Sequence, residues 1–112
     1  MELSADATLT FVQFTIFRFD QLSRVLIEKC PSPMKLEVLG VDDWPMIREA
    51  PGESERHCPS TETSYIARGG GLIHVKDEEP QGFSAGDLIT VLPDTLCVWN
   101  ITEAIERYYS KG

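Results

Sequence analysis

From Lys35 onward the chain breaks into short apolar runs, each closed by turn-forming residues, and this rhythm limits the possible folds more than any other feature. The runs are 35–41, 63–68, 71–76, 87–92, 97–101 and 104–109. Between them stand Asp42-Asp43, Pro51-Gly52, Gly69-Gly70-Gly71, Pro80 to Gly82, Gly86 and Pro93-Asp94, residues suited to turns or unable to continue a ladder. Short strands at regular spacing predict an all-β barrel or sandwich. Gly69 to Gly71 reads as a tight turn between two strands, and Asp87 beside Gly86 as a turn-fixing pair. One run resists: Thr102 followed by Glu-Ala-Ile-Glu-Arg-Tyr-Tyr also fits a capped helix by propensity.

The first third has a different character. Residues 8–19 (TLTFVQFTIFRF) carry β-branched and aromatic residues on both alternating faces, which predicts a strand covered on both sides. Asp20 would cap a short helix over 21–29, with Leu22, Val25 and Leu26 on one stripe. Cys30-Pro31-Ser32-Pro33 would stop that helix and act as a linker. The expected organisation is an extension over 1–34 and a β domain over 35–112. A strand apolar on both faces could pair with the barrel edge of a second subunit, so a homodimer is expected.

The chain has 112 residues and a formal net charge of −8, which fits one domain and argues against nucleic acid or an anionic membrane surface as partner. Its longest apolar stretch near the start is interrupted by Gln13 and Arg18 and is too short to span a bilayer. Cys30, Cys58 and Cys97 are an odd number without paired spacing, so a reducing, cytoplasmic setting without disulfides is expected. Glu2 and Asp6 stand where a signal peptide would carry positive charge.

Taken in order, Leu39-Gly40-Val41 with Trp44-Pro45, Glu62-Thr63 with Tyr65 and Gly69, Phe83 with Gly86-Asp87, Cys97 with Trp99, and Ile105 with Tyr109 resemble a single-domain cupin. The likeness is to the group that includes ureidoglycine aminohydrolase and the ethanolamine-utilisation cupins. That resemblance implies an RmlC-like double-stranded β-helix barrel with one internal pocket, usually dimeric. It also implies reading 104–109 as a closing strand, against its local propensity.

The general cupin pattern has two histidines one residue apart, then three or four residues, a glutamate, six residues and a glycine. Glu62 and Gly69 keep the last spacing. Counting back, the histidine positions fall on Arg56 and Cys58 with three intervening residues, or on Glu55 and His57 with four. The histidine of the second motif falls on Cys97, and its proline is displaced by one, to Pro93. Relatives commonly carry alternating aromatics where this chain has Ser54, Arg56 and Cys58, and an acid where it has Arg68. The ligand set is therefore altered.

Two functional readings follow. In the first, the metal site is changed or lost and the barrel binds a small polar or anionic metabolite. Arg56, Glu62, Tyr65 and Trp99 would line that pocket, because a guanidinium grips carboxylates with two hydrogen bonds. Glu62, pointing into a barrel, needs a partner, and Arg56 or Arg68 would supply it. In the second, Glu62, Cys97 and either His57 or Cys58 hold a divalent metal (Zn, Mn or Ni) in an enzyme acting on a small nitrogenous metabolite. No catalytic residue is assigned: nucleophile–base pairings and phosphate-binding loops are not seen.

Overall fold

The computed structural model describes residues 23–112; the strand expected over 8–19 and the cap at Asp20 lie outside the described residues. The elements, in order, are strand β1 (Val25–Glu28), helix α1 (Pro33–Leu39), a single 3-10 turn (Val41–Asp43), and strands β2 (Met46–Glu49), β3 (Gly52–Cys58), β4 (Glu62–Val75), β5 (Gln81–Ser84), β6 (Leu88–Val91) and β7 (Thr95–Lys111). All pairings are antiparallel, in the order β1-β6-β4-β7-β2, with β3 also on β7 and β5 also on β4. Among the described residues no helix is long and apolar enough to cross a membrane.

Two long strands make this one barrel. β4 and β7 run beside each other from Glu62↔Lys111 to Val75↔Cys97, with register shifts between Ile66 and Gly71. Such bulges bend a strand sharply, so each long strand serves both walls. Gly69, Gly70 and Gly71 therefore do not form the tight turn expected from sequence; they lie inside β4, where backbone crowds backbone. A Cβ on Gly69 would sit 2.0 Å from the Ala104 carbonyl oxygen, and on Gly71 2.2 Å from that of Asn100. Likewise 97–101 and 104–109 are one strand, and the helical propensity of the latter yields to cross-strand pairing. The closing strand implied by the cupin resemblance is there.

Two local expectations are corrected. Residues 25–28 form a strand on β6, with Val25 opposite Val91 and Ile27 opposite Ile89, where a helix over 21–29 was expected. Val25 is buried, and an edge docking site outweighs a weak helical stripe. Conversely, 35–41 is not a strand but mostly α1. Ser32 caps it by accepting from the Lys35 N–H at 3.1 Å, Pro33 occupies the first turn, and Gly40 ends it at φ 77°. The Ser-Pro pair that reads as a stop for one helix is the start of the next.

The interior is filled by Val25, Ile66, Ile73, Phe83, Ile89, Val91, Trp99, Ile101 and Ile105, with Cys58 and Cys97 among them. At the lower turn, Asp87 accepts from the Ser84 N–H at 2.9 Å and pairs with Lys29 at 2.7 Å, as its place beside Gly86 suggested. Gly69→Ala is expected to lower stability by about 2–4 kcal/mol, since φ there is 81° and strain adds to the backbone clash. Urea denaturation with unchanged circular dichroism at low denaturant checks it.

Candidate functional site

Along β7 the side chains that face the interior are every second residue: Thr95, Cys97, Trp99 and Ile101, then Ile105 and Arg107, all buried. The register with β3 sets Ser54 against Trp99, Arg56 against Cys97 and Cys58 against Thr95. The register with β4 sets Ser64 against Tyr109, and β2 brings Glu49 opposite Ile105. Four strands thus deliver Glu49, Arg56, Cys58, Glu62, Ser64, Cys97, Trp99 and Arg107 to one end of the barrel. Three intervening residues, not four, is the spacing that counts: Arg56 and Cys58 share the inner side of β3, while His57 is exposed.

Arg107 is the hub. One guanidinium nitrogen donates to Glu62 Oε2 at 3.0 Å and to Ser64 Oγ at 2.9 Å, and another donates to Glu49 Oε2 at 3.1 Å. Its Nε is buried and has no hydrogen-bond partner among the described residues. Arg56 grips the same Glu49 carboxylate with two hydrogen bonds, at 2.9 and 3.3 Å, and its Nε donates to Ser54 Oγ at 2.9 Å. Both guanidiniums lie over Trp99, Arg56 at 4.7 Å and Arg107 at 5.3 Å from the ring centroid, and Arg107 is 5.1 Å from that of Tyr109. Cation–π attraction of this kind is strongest on tryptophan. Phe83 holds Trp99 edge-on at 5.4 Å.

The partner of Glu62 is therefore Arg107, rather than Arg56 or Arg68. Arg56 is occupied by Glu49, and Arg68 is exposed on the outer side of the bulge. Tyr65 does not join the cluster either: it lines a hollow beside α1 with Leu36, Val41 and Asp42. Arg107, Glu49, Ser64 and Tyr109 were missed by the sequence reading. Arg107 had a signal, because it lies two residues from both Ile105 and Tyr109 and so shares their face.

Burial pushes the Glu49 carboxyl up, but the hydrogen bond from Arg56 and the Arg107 charge outweigh it and hold it below the usual carboxylate range. Burial, then the hydrogen bond to Glu62 and its charge, push the Cys58 thiol up to about 11. Cys58 Sγ donates to Glu62 Oε1 at 3.4 Å. Burial likewise raises Cys97. The guanidinium of Arg107 already takes the second oxygen of Glu62, and a cation would sit against it. Among the described residues no three His, Cys, Asp or Glu side chains are arranged to hold a metal ion. The donor set fits a divalent metal poorly.

A bent antiparallel barrel with an inward glutamate opening one long strand and an inward thiol on the other has the architecture of a cupin. More narrowly, the chain belongs to the EutQ-like cupin domain family, whose model matches residues 36–109. It is similar to the solved structure of a DUF861 family protein from Thermotoga maritima, at 31% identity and a TM-score of 0.75, covering 79% of this chain and 99% of that one. Two EutQ proteins share the fold at lower identity. The EutQ protein of Clostridium difficile has 15% identity and a TM-score of 0.55, over 78% of this chain and 66% of its own. The putative EutQ of Salmonella typhimurium has 13% and 0.53, over 85% and 76%. No curated protein matches the chain.

Arg107→Met should cost about 3–5 kcal/mol, because it strands Glu62 as an uncompensated buried charge; adding Glu62→Gln should recover part of the loss, read by urea denaturation. Cys58 supplies a pH test. Its folded pKa lies above the unfolded value of 9.0, near 11, so its contribution is complete below pH 9 and is lost as pH rises toward 11. The midpoint of thermal unfolding should fall across that window in the wild type and fall less in Cys58→Ala.

Proposed function

We propose that this cupin binds a small polar or anionic metabolite at the end of the barrel where Arg56, Arg107, Glu62, Trp99 and Tyr109 meet, in the place where the general cupin pattern puts its metal. The observation that carries this reading is the buried Arg107 guanidinium on Glu62. It supplies positive charge without a coordinated ion and keeps an unpartnered donor at Nε. Arg56 adds a second guanidinium whose side chain is 25% exposed, so solvent and small solutes reach it. Two planar cations backed by an indole face suit carboxylate-like groups, through bidentate hydrogen bonds and stacking. A metal-dependent reaction receives less support, since it requires an unclaimed Glu62, whose Oε2 is held here by the Arg107 guanidinium.

The test is a panel of small carboxylates, amides and ureides titrated into the untagged full chain, followed by thermal unfolding and tryptophan fluorescence. A binder is expected among the anions. Arg56→Met should weaken it by about 10–100-fold, the worth of one charge-assisted contact. Elemental analysis of the same preparation should give substoichiometric Zn, Mn and Ni. Stoichiometric metal lost in Glu62→Gln would overturn the reading.

A further inference from the structure

We infer that the Glu49 carboxylate is a built-in stand-in for the carboxylate of the ligand, which takes its seat between the two arginines when it binds. The inference rests on the reading above and narrows it to monocarboxylates. Three hydrogen bonds from Arg56 and Arg107 converge on this one group, at 2.9, 3.3 and 3.1 Å. That is the arrangement in which paired guanidiniums hold a bound carboxylate. With Arg56, Arg107 and Glu62 charged, the seat without Glu49 carries one net positive charge, which a single carboxylate neutralises and a dianion would overfill.

Two further features let Glu49 leave. It is the last residue of β2 and is followed by the exposed pair Ala50-Pro51 before pairing with β7 resumes at Gly52, so it borders a short break in the ladder. It also lines an outer groove of about 430 Å³ together with Arg48, Ala50, Arg68 and Glu106. In that groove Glu106 is held by Arg48 at 3.1 Å, whereas Arg68 is exposed and forms no ion pair with another described residue. A displaced Glu49 carboxylate would therefore move from one pair of guanidiniums toward a single guanidinium, remaining compensated while the ligand holds its place. No such landing site serves Glu62, whose neighbours are Arg107 and the Cys58 thiol.

Acetate is the probe, titrated into the full chain as wild type, Glu49→Ala, Glu49→Gln and the double variant Glu49→Ala with Arg56→Met. Removing an internal competitor raises apparent affinity by the factor by which it had closed the site. Acetate should therefore bind Glu49→Ala and Glu49→Gln at least about 10-fold more tightly than wild type, read as a saturable rise in unfolding temperature and a tryptophan fluorescence change. The double variant should lose that gain. Glu49→Gln keeps the side-chain shape and carries the test if the alanine variant folds poorly. Equal acetate affinity in wild type and both single variants would overturn the role of Glu49 and leave metabolite binding standing. Absence of acetate binding in both single variants would also overturn it, with metabolite binding still judged by the wild-type panel. A gain that survives Arg56→Met would place acetate elsewhere and overturn it as well.

Discussion

A carboxylate enclosed by a barrel must be answered by positive charge, and the way Glu62 is answered organises everything around it. Arg107 supplies the charge from the facing strand. Importing a guanidinium brings its own demands, since each buried ion loses several kcal/mol of hydration that only good geometry and further hydrogen bonds recover. Ser64 and Glu49 meet part of that demand. Glu49 then requires a second cation, which Arg56 provides, and Arg56 is steadied by Ser54 and the face of Trp99. The cluster is a chain of compensations that starts from one inward glutamate.

The same chain explains why the cysteines are quiet. Beside Glu62 the Cys58 thiol serves as a hydrogen-bond donor, and its proton is held by burial as well as by that contact. In a cupin that coordinates metal, the corresponding positions offer lone pairs to a cation. Here the two oxygens of Glu62 are turned toward the Arg107 guanidinium and the Cys58 thiol.

Much of this was legible in the residues. Counting along the cupin pattern singled out Cys97, the resemblance made Trp99 a wall of the pocket, Gly86-Asp87 announced its turn, and the spacing of Glu62 from Gly69 identified the strand that carries the site. What was not legible depended on distant pairing. Val25 to Glu28 become a strand because β6 offers them an edge, which no local pattern reports. The three glycines suggested a turn, yet their lack of Cβ serves the close passage of β4 along β7. Arg107 was overlooked because its partner Glu62 lies 45 residues away on another strand, and the closing strand was read for its apolar residues alone. Glu49 lies in a four-residue strand with mixed exposure, too short for periodicity to speak.

The length of β7 has an evolutionary consequence. One uninterrupted strand of 17 residues carries Cys97, Trp99, Arg107 and Tyr109, so their shared orientation depends on the parity of the chain between them. Inserting or deleting a single residue between Trp99 and Arg107 would turn the arginine outward and dismantle the site at a stroke. Lineages of this barrel are free to exchange side chains at these positions, but only a bulge or a two-residue change could alter the spacing. Diversification of the interior is thus channelled into point substitution, while the loops absorb changes of length.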